Sequence, residues 1–151
     1  MSPRRLLHAA SIAEAASWTL LIAGMILKYP LQGSGLLVSV AGSLHAVAFL
    51  GYLGCILLIG VDRRWSWGML LLGAAASVPP YATLAFDRFA QRRGDLSGAW
   101  RLPEPDAERA PLLDRLAAWA LRHPITLAAI ALAAFVLILT GALSGALRSP
   151  H

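Results

Sequence analysis

The sequence predicts an all-α membrane protein, a polytopic helix bundle with a three-helix core and a fourth transmembrane helix. Hydrophobic residues make up 58% of the chain and charged residues only 14%, whereas a soluble domain carries about 25% charged residues. Four apolar runs approach or exceed the length of about 20 residues that a helix needs to cross a bilayer. A chain of 151 residues that contains these runs has no room for a separate soluble catalytic domain.

The net charge of +5 comes from arginines scattered near the predicted helix ends and loops. In a membrane protein such residues meet lipid headgroups and set the topology, so this charge does not indicate nucleic-acid binding. Cys55 is the single cysteine and lies inside an apolar run, which excludes an intrachain disulfide and a cysteine-based metal cluster. The lipid bilayer is therefore the first partner that the sequence predicts, and we expect no cofactor.

The first helix is predicted over 6–28, behind a short basic leader. Its length, an internal carboxylate and the lack of a small-residue cleavage site favour a transmembrane helix over a secretory signal. The second helix, 36–61, carries no formal charge over a run that is long enough to span. The third helix, 68–87, contains Pro79-Pro80. This pair predicts a kink, because proline removes an N–H and leaves carbonyl groups that need another donor.

These three helices make up a predicted membrane domain, residues 6–93. A polar linker follows over 94–124, and the apolar face that includes Leu112 and Leu116 predicts a short helix in the membrane interface, with a plain connector helix as the alternative. The fourth transmembrane helix is predicted over 125–147. Orientation stays open, because the basic N-terminus and the arginine-rich linker favour opposite orientations under the positive-inside rule.

Polar side chains inside the predicted spans are costly in a bilayer, so they are the candidate functional residues. At about 1.5 Å per residue, His45 of the second helix lies near the bilayer midplane. Helical periodicity and depth bring further polar residues of the three helices toward a common interior face. They form a predicted polar seam that consists of Glu14, Ser17, Lys28, His45, Tyr52, Tyr81 and Asp87.

Two contacts within the polar seam follow if each helix crosses the bilayer antiparallel to the one before it. The hydroxyl of Tyr81 then falls within reach of His45. Asp87 falls at the surface that holds Lys28, and the two could form an interfacial ion pair. Purely structural roles are the alternative for these residues, since a buried polar group can satisfy its hydrogen bonds inside the bundle.

The chain shows no motif for catalysis or metal binding. His45 has no histidine or carboxylate at i+3 or i+4, as a helix-borne metal pair requires. The sequence also contains no Ser-His-Asp set, phosphate-binding loop or glycine-rich dinucleotide turn. Enzyme activity is therefore left open, and a non-enzymatic protein is favoured.

Two pairs of small residues indicate close helix packing. Small residues four apart let a neighbouring helix approach closely in a membrane. The pairs are Gly42 with Ala46 in the second helix and Gly141 with Gly145 in the fourth. Packing within one chain and self-association are both compatible with these pairs.

Several short motifs follow one another in a fixed order: Glu14, Leu27-Lys28-Tyr29, His45, Pro79-Pro80-Tyr81-Ala82-Thr83 and Asp87-Arg88. Over about residues 6–93, their order and spacing resemble the small bacterial integral-membrane proteins of domain-of-unknown-function family 3817. Two glycines of that family are replaced here, by Ala46 after the histidine and by Ala82. The resemblance implies a bacterial plasma-membrane protein and brings no established activity.

Three functions remain open from the sequence. The first is an accessory or small-ligand-binding membrane bundle, working as a homo-oligomer or with a membrane-protein partner. The second is a small proton-coupled transporter or channel that acts as an oligomer, with Glu14 and His45 exchanging protons, since histidine titrates near neutral pH. The third and weaker one is a lipid-modifying membrane enzyme with His45 as its base. All three are compatible with a multi-pass protein of the bacterial plasma membrane.

Overall fold

The structure, a computed structural model, describes residues 1–29, 35–102 and 111–148, and leaves aside the side chains at 124, 128, 142, 143 and 145–148. Over these ranges the chain forms helices and turns, which confirms the predicted all-α fold class. The helices are α1 (Pro3–Lys28), α2 (Leu36–Arg63), α3 (Trp67–Ala75), α4 (Ala82–Arg92), α5 (Leu112–Arg122) and α6 (Pro124–Arg148).

Two helices of the described chain, α1 and α2, are long and apolar enough to cross a membrane. The bent pair α5 and α6 adds a third candidate span if it is counted as one. Large apolar side chains such as Leu20, Leu50 and Leu57 are exposed on these helices. In a bilayer such residues face lipid, so the exposed apolar surface is what a membrane bundle requires.

The helices α1 and α2 pack closely near Gly24. A Cβ atom added at Gly24 would lie 3.4 Å from the backbone N and Cα of Val38, so glycine allows the two backbones to approach. The chain enters α1 through Ser2, whose hydroxyl accepts a hydrogen bond from the amide N of Arg5 at 3.4 Å. Helix α2 ends at Arg64, which adopts the left-handed conformation with φ 50°.

The kinked third helix predicted over 68–87 is wrong in one respect, because the structure has two helices there, α3 and α4. The amide of Ala82 donates to the carbonyl of Pro79 at 3.2 Å, which closes a β-turn with Pro80 and Tyr81 at its centre. Tyr81 has φ 65° and ψ −2°, the values of the third position of a type II turn. A helix cannot continue through two prolines, and this turn reverses the chain.

Helix α3 runs antiparallel to the last turns of α2. An added Cβ at Gly60 would meet the side chain of Leu70, and one at Gly73 would lie 3.0 Å from Cδ1 of Ile56. Helix α3 therefore starts beside the C-terminal end of α2 and ends about halfway along it.

Helix α4 then runs antiparallel to α1, back toward Met1. Asp87 contacts His8 and Gln91 contacts Arg4, so later residues of α4 lie beside earlier residues of α1. Beyond α4, the indole N–H of Trp100 donates to the carbonyl of Met1 at 2.6 Å. Helices α3 and α4 are thus a re-entrant hairpin, which enters and leaves at the end of the bundle that holds Met1. We call this the N-terminal end, and the opposite end the Lys28 end.

The segment after α4 closes the C-terminal end of α2. Oδ1 of the buried Asp62 accepts from the amides of Arg101 at 2.8 Å and Leu102 at 3.0 Å. The guanidinium of Arg101 donates to the carbonyls of Asp62 at 2.8 Å and Val61 at 3.2 Å. These donors satisfy carbonyl groups that the end of a helix leaves unpaired.

Helix α5 packs Ala117 and Ala118 against Leu58 and Val61 of α2, at the N-terminal end of the bundle. It meets α6 at an angle of 91°. Its outward side exposes four large apolar residues: Leu112, Leu113, Leu116 and Trp119. The interfacial location of this helix stays a prediction, and the bend supports it.

Candidate functional site

The buried polar residues of the described chain are concentrated where α4 lies against α1. Residues 4, 8, 11 and 14 fall on one face of α1, and residues 83, 87 and 91 on one face of α4, by the three- or four-residue spacing of a helix. We call the set the α1–α4 polar interface, and its members are Arg4, His8, Ser11, Glu14, Thr83, Asp87 and Gln91.

Glu14 is the deepest member of this interface, with none of its surface exposed. Its Oε2 accepts a hydrogen bond from the hydroxyl of Thr83 at 2.9 Å. Its Oε1 has no partner among the described residues, and neither has the hydroxyl of Ser11, which is also fully buried. A buried oxygen without a partner costs about 1–3 kcal/mol. Such an oxygen is free to accept a hydrogen bond from a further donor.

Asp87 forms the outer part of the interface, toward the N-terminal end. Its Oδ1 accepts from Nε2 of Gln91 at 2.8 Å, and its Oδ2 lies 2.8 Å from Nδ1 of His8. Gln91 in turn accepts from Nε of Arg4 at 3.0 Å. Asp87 is buried, while 57% of the His8 side chain is exposed. The interface therefore reaches from the buried Glu14 to a histidine at the surface of the N-terminal end.

His45 of α2 lies in a separate group, between α1 and α2. Ser17 donates to the backbone carbonyl of Glu14 at 2.7 Å, and its oxygen lies 2.9 Å from Nδ1 of His45. Since a hydroxyl has one hydrogen, Nδ1 of His45 carries the proton that joins it to Ser17. The ring of Trp18 lies 4.4 Å from the His45 ring, and the ring of Phe49 lies 6.3 Å from it.

Tyr52 forms a hydrogen bond with α3 near the end of that helix at which the proline pair interrupts it. Its buried hydroxyl donates to the carbonyl of Gly73 at 3.1 Å. The amide of Ser77 bonds to the carbonyl of Ala74 instead of to that of Gly73, so the helix itself leaves the Gly73 carbonyl free. The sequence predicted that carbonyl groups near Ala75 and Ala76 would need another donor, such as a side chain or water. In the structure a side chain, that of Tyr52, donates to the carbonyl of Gly73, slightly earlier in the helix.

Two predicted contacts of the polar seam are wrong. Asp87 lies beside His8, and Lys28 lies at the opposite end, where its ammonium is 5.2 Å from the ring centre of Tyr29. The hydroxyl of Tyr81 lies 3.3 Å from that of Thr19, not beside His45. Both errors have one cause, since a re-entrant hairpin reverses the depth order that a crossing helix would give.

The small-residue pairs stay predictions. A Cβ at Gly42 would lie 3.9 Å from Leu21 of α1, an ordinary packing distance within the chain. Ala46 is half-buried. A Cβ at Gly141 would meet nothing within 4 Å, and Gly145 falls outside the described side chains.

The sequence did not single out five members of the interface as functional residues: Arg4, His8, Ser11, Thr83 and Gln91. The spacing of 83, 87 and 91 on one helix could have found Thr83 and Gln91, because each of the three is polar and each follows the last by one helical turn. Among the residues that the structure describes, no group of three histidine, cysteine, aspartate or glutamate side chains could hold a metal ion. The chemistry that the site offers is hydrogen bonding and proton exchange.

Comparison with known proteins matches the part of the chain that builds this site. The family model "Domain of unknown function (DUF3817)" matches residues 4–92, which run from α1 to the last residue of α4. "Putative membrane protein SCO5905" of Streptomyces coelicolor is 39% identical over 102 residues, which are 67% of this chain and 11% of that protein. The chain thus spans a small fraction of the length of this relative. No solved structure matches the chain.

Proposed function

The chain belongs to the DUF3817 family of membrane proteins, and we propose that it is an accessory bundle of the bacterial plasma membrane that works with a larger membrane protein. The observation that carries this proposal is the relative in which the matched stretch makes up 11% of the length. A unit that occurs within a much longer membrane chain is expected to contact the rest of that chain.

The geometry supports a bundle that binds other membrane segments. The deeper side chains of the α1–α4 polar interface, Glu14, Thr83 and Asp87, are buried and bond to other members of the interface. The outer faces of α1 and α2 are apolar, with Ile12, Leu50 and Leu57 exposed. A rigid bundle with an apolar exterior is suited to packing against another membrane helix, because such packing requires no unsatisfied polar group.

In this proposal the N-terminal end faces the cytoplasm and the protein passes the membrane several times. The re-entrant hairpin puts the exit of α4 and the start of the linker at the same end as the N-terminus. The basic N-terminus and the arginine-rich linker therefore favour the same orientation under the positive-inside rule. The arginines at this end are Arg4, Arg5, Arg63, Arg64, Arg88, Arg92, Arg93, Arg101, Arg115 and Arg122.

Native mass spectrometry of the chain, released in a mild detergent from the bacterium that encodes it, tests the accessory role. We expect one larger membrane protein at a fixed ratio to this chain. Thr83→Val, which removes the hydroxyl that joins α4 to Glu14, should lower that ratio because the hairpin is loosened. Thr140→Val is the matched control, because this exposed hydroxyl donates to the carbonyls of Val136 and Leu137 in its own helix, α6. A chain that is released only as a monomer or as a homo-oligomer would overturn the accessory role.

A second candidate is a proton-coupled transporter or channel that acts as a homo-oligomer. It is favoured by Oε1 of Glu14, which is buried and without a partner in the described chain, and by the exposed His8 at the outer end of the same interface. A carboxyl group in this position can exchange protons with one side of the membrane through polar neighbours.

Proton flux into liposomes that contain only the purified chain tests the second candidate. With a pH gradient across the liposome, the wild-type chain should carry protons, and Glu14→Gln should reduce the rate at least tenfold while the helix content stays unchanged. Thr19→Val should conduct like the wild type. Equal rates with empty liposomes, or a Glu14→Gln variant that still conducts, would eliminate this candidate.

A further inference from the structure

We propose that the groove between α2 and α6 binds one acyl chain of an anionic phospholipid from the leaflet at the N-terminal end. This inference concerns residues outside the α1–α4 polar interface and does not depend on the function proposed above. It rests on the shape, depth and lining of the groove and on the charges at its outer end.

The groove is a partly enclosed cavity of about 600 Å³. Its lining is apolar or small throughout, with α2 on one side and α6 on the other. The residues used below are Leu6, Val47, Gly51, Gly54, Cys55 and Leu58. A cavity of this composition offers a hydrocarbon chain dispersion contacts and offers a polar molecule no partner.

The depth of the groove equals one leaflet. Along α2 its lining extends from Leu58, near the N-terminal end, to Val47, a separation of about 16 Å at about 1.5 Å per residue. Half of a hydrocarbon core of about 30 Å is about 15 Å. An acyl chain that enters at the N-terminal end therefore fits the groove along its length.

The outer end of the groove lies at the arginine-rich end of the bundle. Leu6 and Ala120 line it there, and Arg5 and Arg122, which lie within two residues of them, are exposed. Arginines near a membrane surface attract anionic lipid headgroups. The charge at this end thus complements a phosphate headgroup without a neutralising amine, which is why the proposal specifies an anionic lipid.

Two glycines make the groove wide enough for a chain. Cβ atoms added at Gly51 and Gly54 would meet nothing within 4 Å, so these glycines are not required for contact between helices of this chain. Leucine at both positions would fill the groove with its own side chains and exclude the acyl chain. The two positions therefore separate lipid binding from folding.

Native mass spectrometry of the full chain in mild detergent, titrated with phosphatidylglycerol or with phosphatidylcholine of the same chains, tests the proposal. The wild-type chain should retain one phosphatidylglycerol and bind it at least tenfold more tightly than phosphatidylcholine. Gly51→Leu with Gly54→Leu should weaken that binding at least tenfold. Gly68→Leu, at an exposed glycine of α3 outside the groove, should leave it unchanged.

A second readout uses the native chain without substitution. Cys55 lines the groove and is the single thiol, so phosphatidylglycerol should slow its reaction with a maleimide. Unchanged lipid retention in the double leucine variant, or no protection of Cys55, would overturn the proposal. Equal binding of the two lipids, or an Arg5→Gln and Arg122→Gln variant that keeps the preference, would overturn its anionic part.

Discussion

At the scale of single residues, the bundle depends on a few hydrogen bonds made far from water. Glu14 and Thr83 are both fully buried, and their bond joins the hairpin to α1. Hydrogen bonds between membrane helices contribute about 0.6 kcal/mol on average and up to about 1.7 kcal/mol. The value should lie toward the upper end here, because the other oxygen of Glu14 has no partner in the described chain.

Thr83→Val should therefore destabilise the protein by about 1 kcal/mol. Valine keeps the shape of the threonine side chain and removes only its hydroxyl, which leaves both oxygens of Glu14 without a donor among the described residues. Unfolding in mixed micelles measures the free energy. A double-mutant cycle with Glu14→Leu, which removes the acceptor, isolates the pair, and a coupling energy of zero would show that the bond contributes nothing to the fold.

Tyr81 has a left-handed backbone conformation, which favours glycine. At φ 65°, a Cβ atom costs about 1 kcal/mol. Among variants that both lack the tyrosine side chain, Tyr81→Gly should be about 1 kcal/mol more stable than Tyr81→Ala. The same unfolding experiment compares them. If the alanine variant were the more stable one, the turn would not hold this residue in the left-handed region.

At the scale of helices, the hairpin shows what the sequence could predict and what it could not. Pro79 and Pro80 correctly predict that the helix is interrupted, because proline cannot continue it. They do not specify whether the chain then crosses the membrane or turns back. That choice depends on partners far away in sequence, since α4 turns toward the polar face of α1. Tertiary contacts of this kind cannot be predicted from the local sequence pattern.

The candidate site residues, like the hairpin, could be predicted only in part from the sequence. Glu14 and Asp87 were identified because charges inside apolar runs are rare, and both are buried in the α1–α4 polar interface. Their partners were not identified, because a pairing between helices requires the relative depth of the two. The lengths of α3 and α4, 9 and 11 residues, are about half of what a span requires. That is the signal that could have predicted the hairpin.

Contact between α1 and α2 should depend on the size of residue 24. Gly24→Val would bring a Cβ to 3.4 Å from the Val38 backbone and its methyl groups closer still, and overpacking of this kind costs about 1–3 kcal/mol. Gly141→Val, where the added Cβ meets nothing within 4 Å, is the control. Thermal unfolding in micelles should show a loss for the first variant in excess of the second. Equal losses would mean that helix propensity alone accounts for both.

At the scale of the whole molecule, the hairpin separates the charges. The arginines in the first turn of α1, at the end of α2 and along α4 and α5 share the N-terminal end, while Lys28 lies at the other. A membrane protein with such a distribution is expected to have one orientation. The topology is therefore a property of the fold, which the order of apolar runs alone does not determine.

Single cysteines introduced into a Cys55→Ser background test this topology. Cysteines at Ser2 and Ser97 should react with an impermeant maleimide from the same side of the membrane, because α4 returns to the N-terminal end. A cysteine at Gly35, at the Lys28 end, should react from the opposite side. Labelling of the Ser2 and Ser97 positions from opposite sides would mean that α3 and α4 cross the membrane as one span.

The hairpin also makes the two halves of the protein unequal in width. Helices α3, α4 and α5 lie in the half near Met1, whereas α1 and α2 extend to the Lys28 end. Helix α6 has 25 residues and is therefore about 37 Å long, so it also extends to the Lys28 end. The bundle is therefore wedge-shaped, wider in the half near Met1. In a flat bilayer the lipids around such a body must deform to fit its surface, and this deformation costs free energy. A body of this shape is expected to fit best where the leaflet on its wide side is convex.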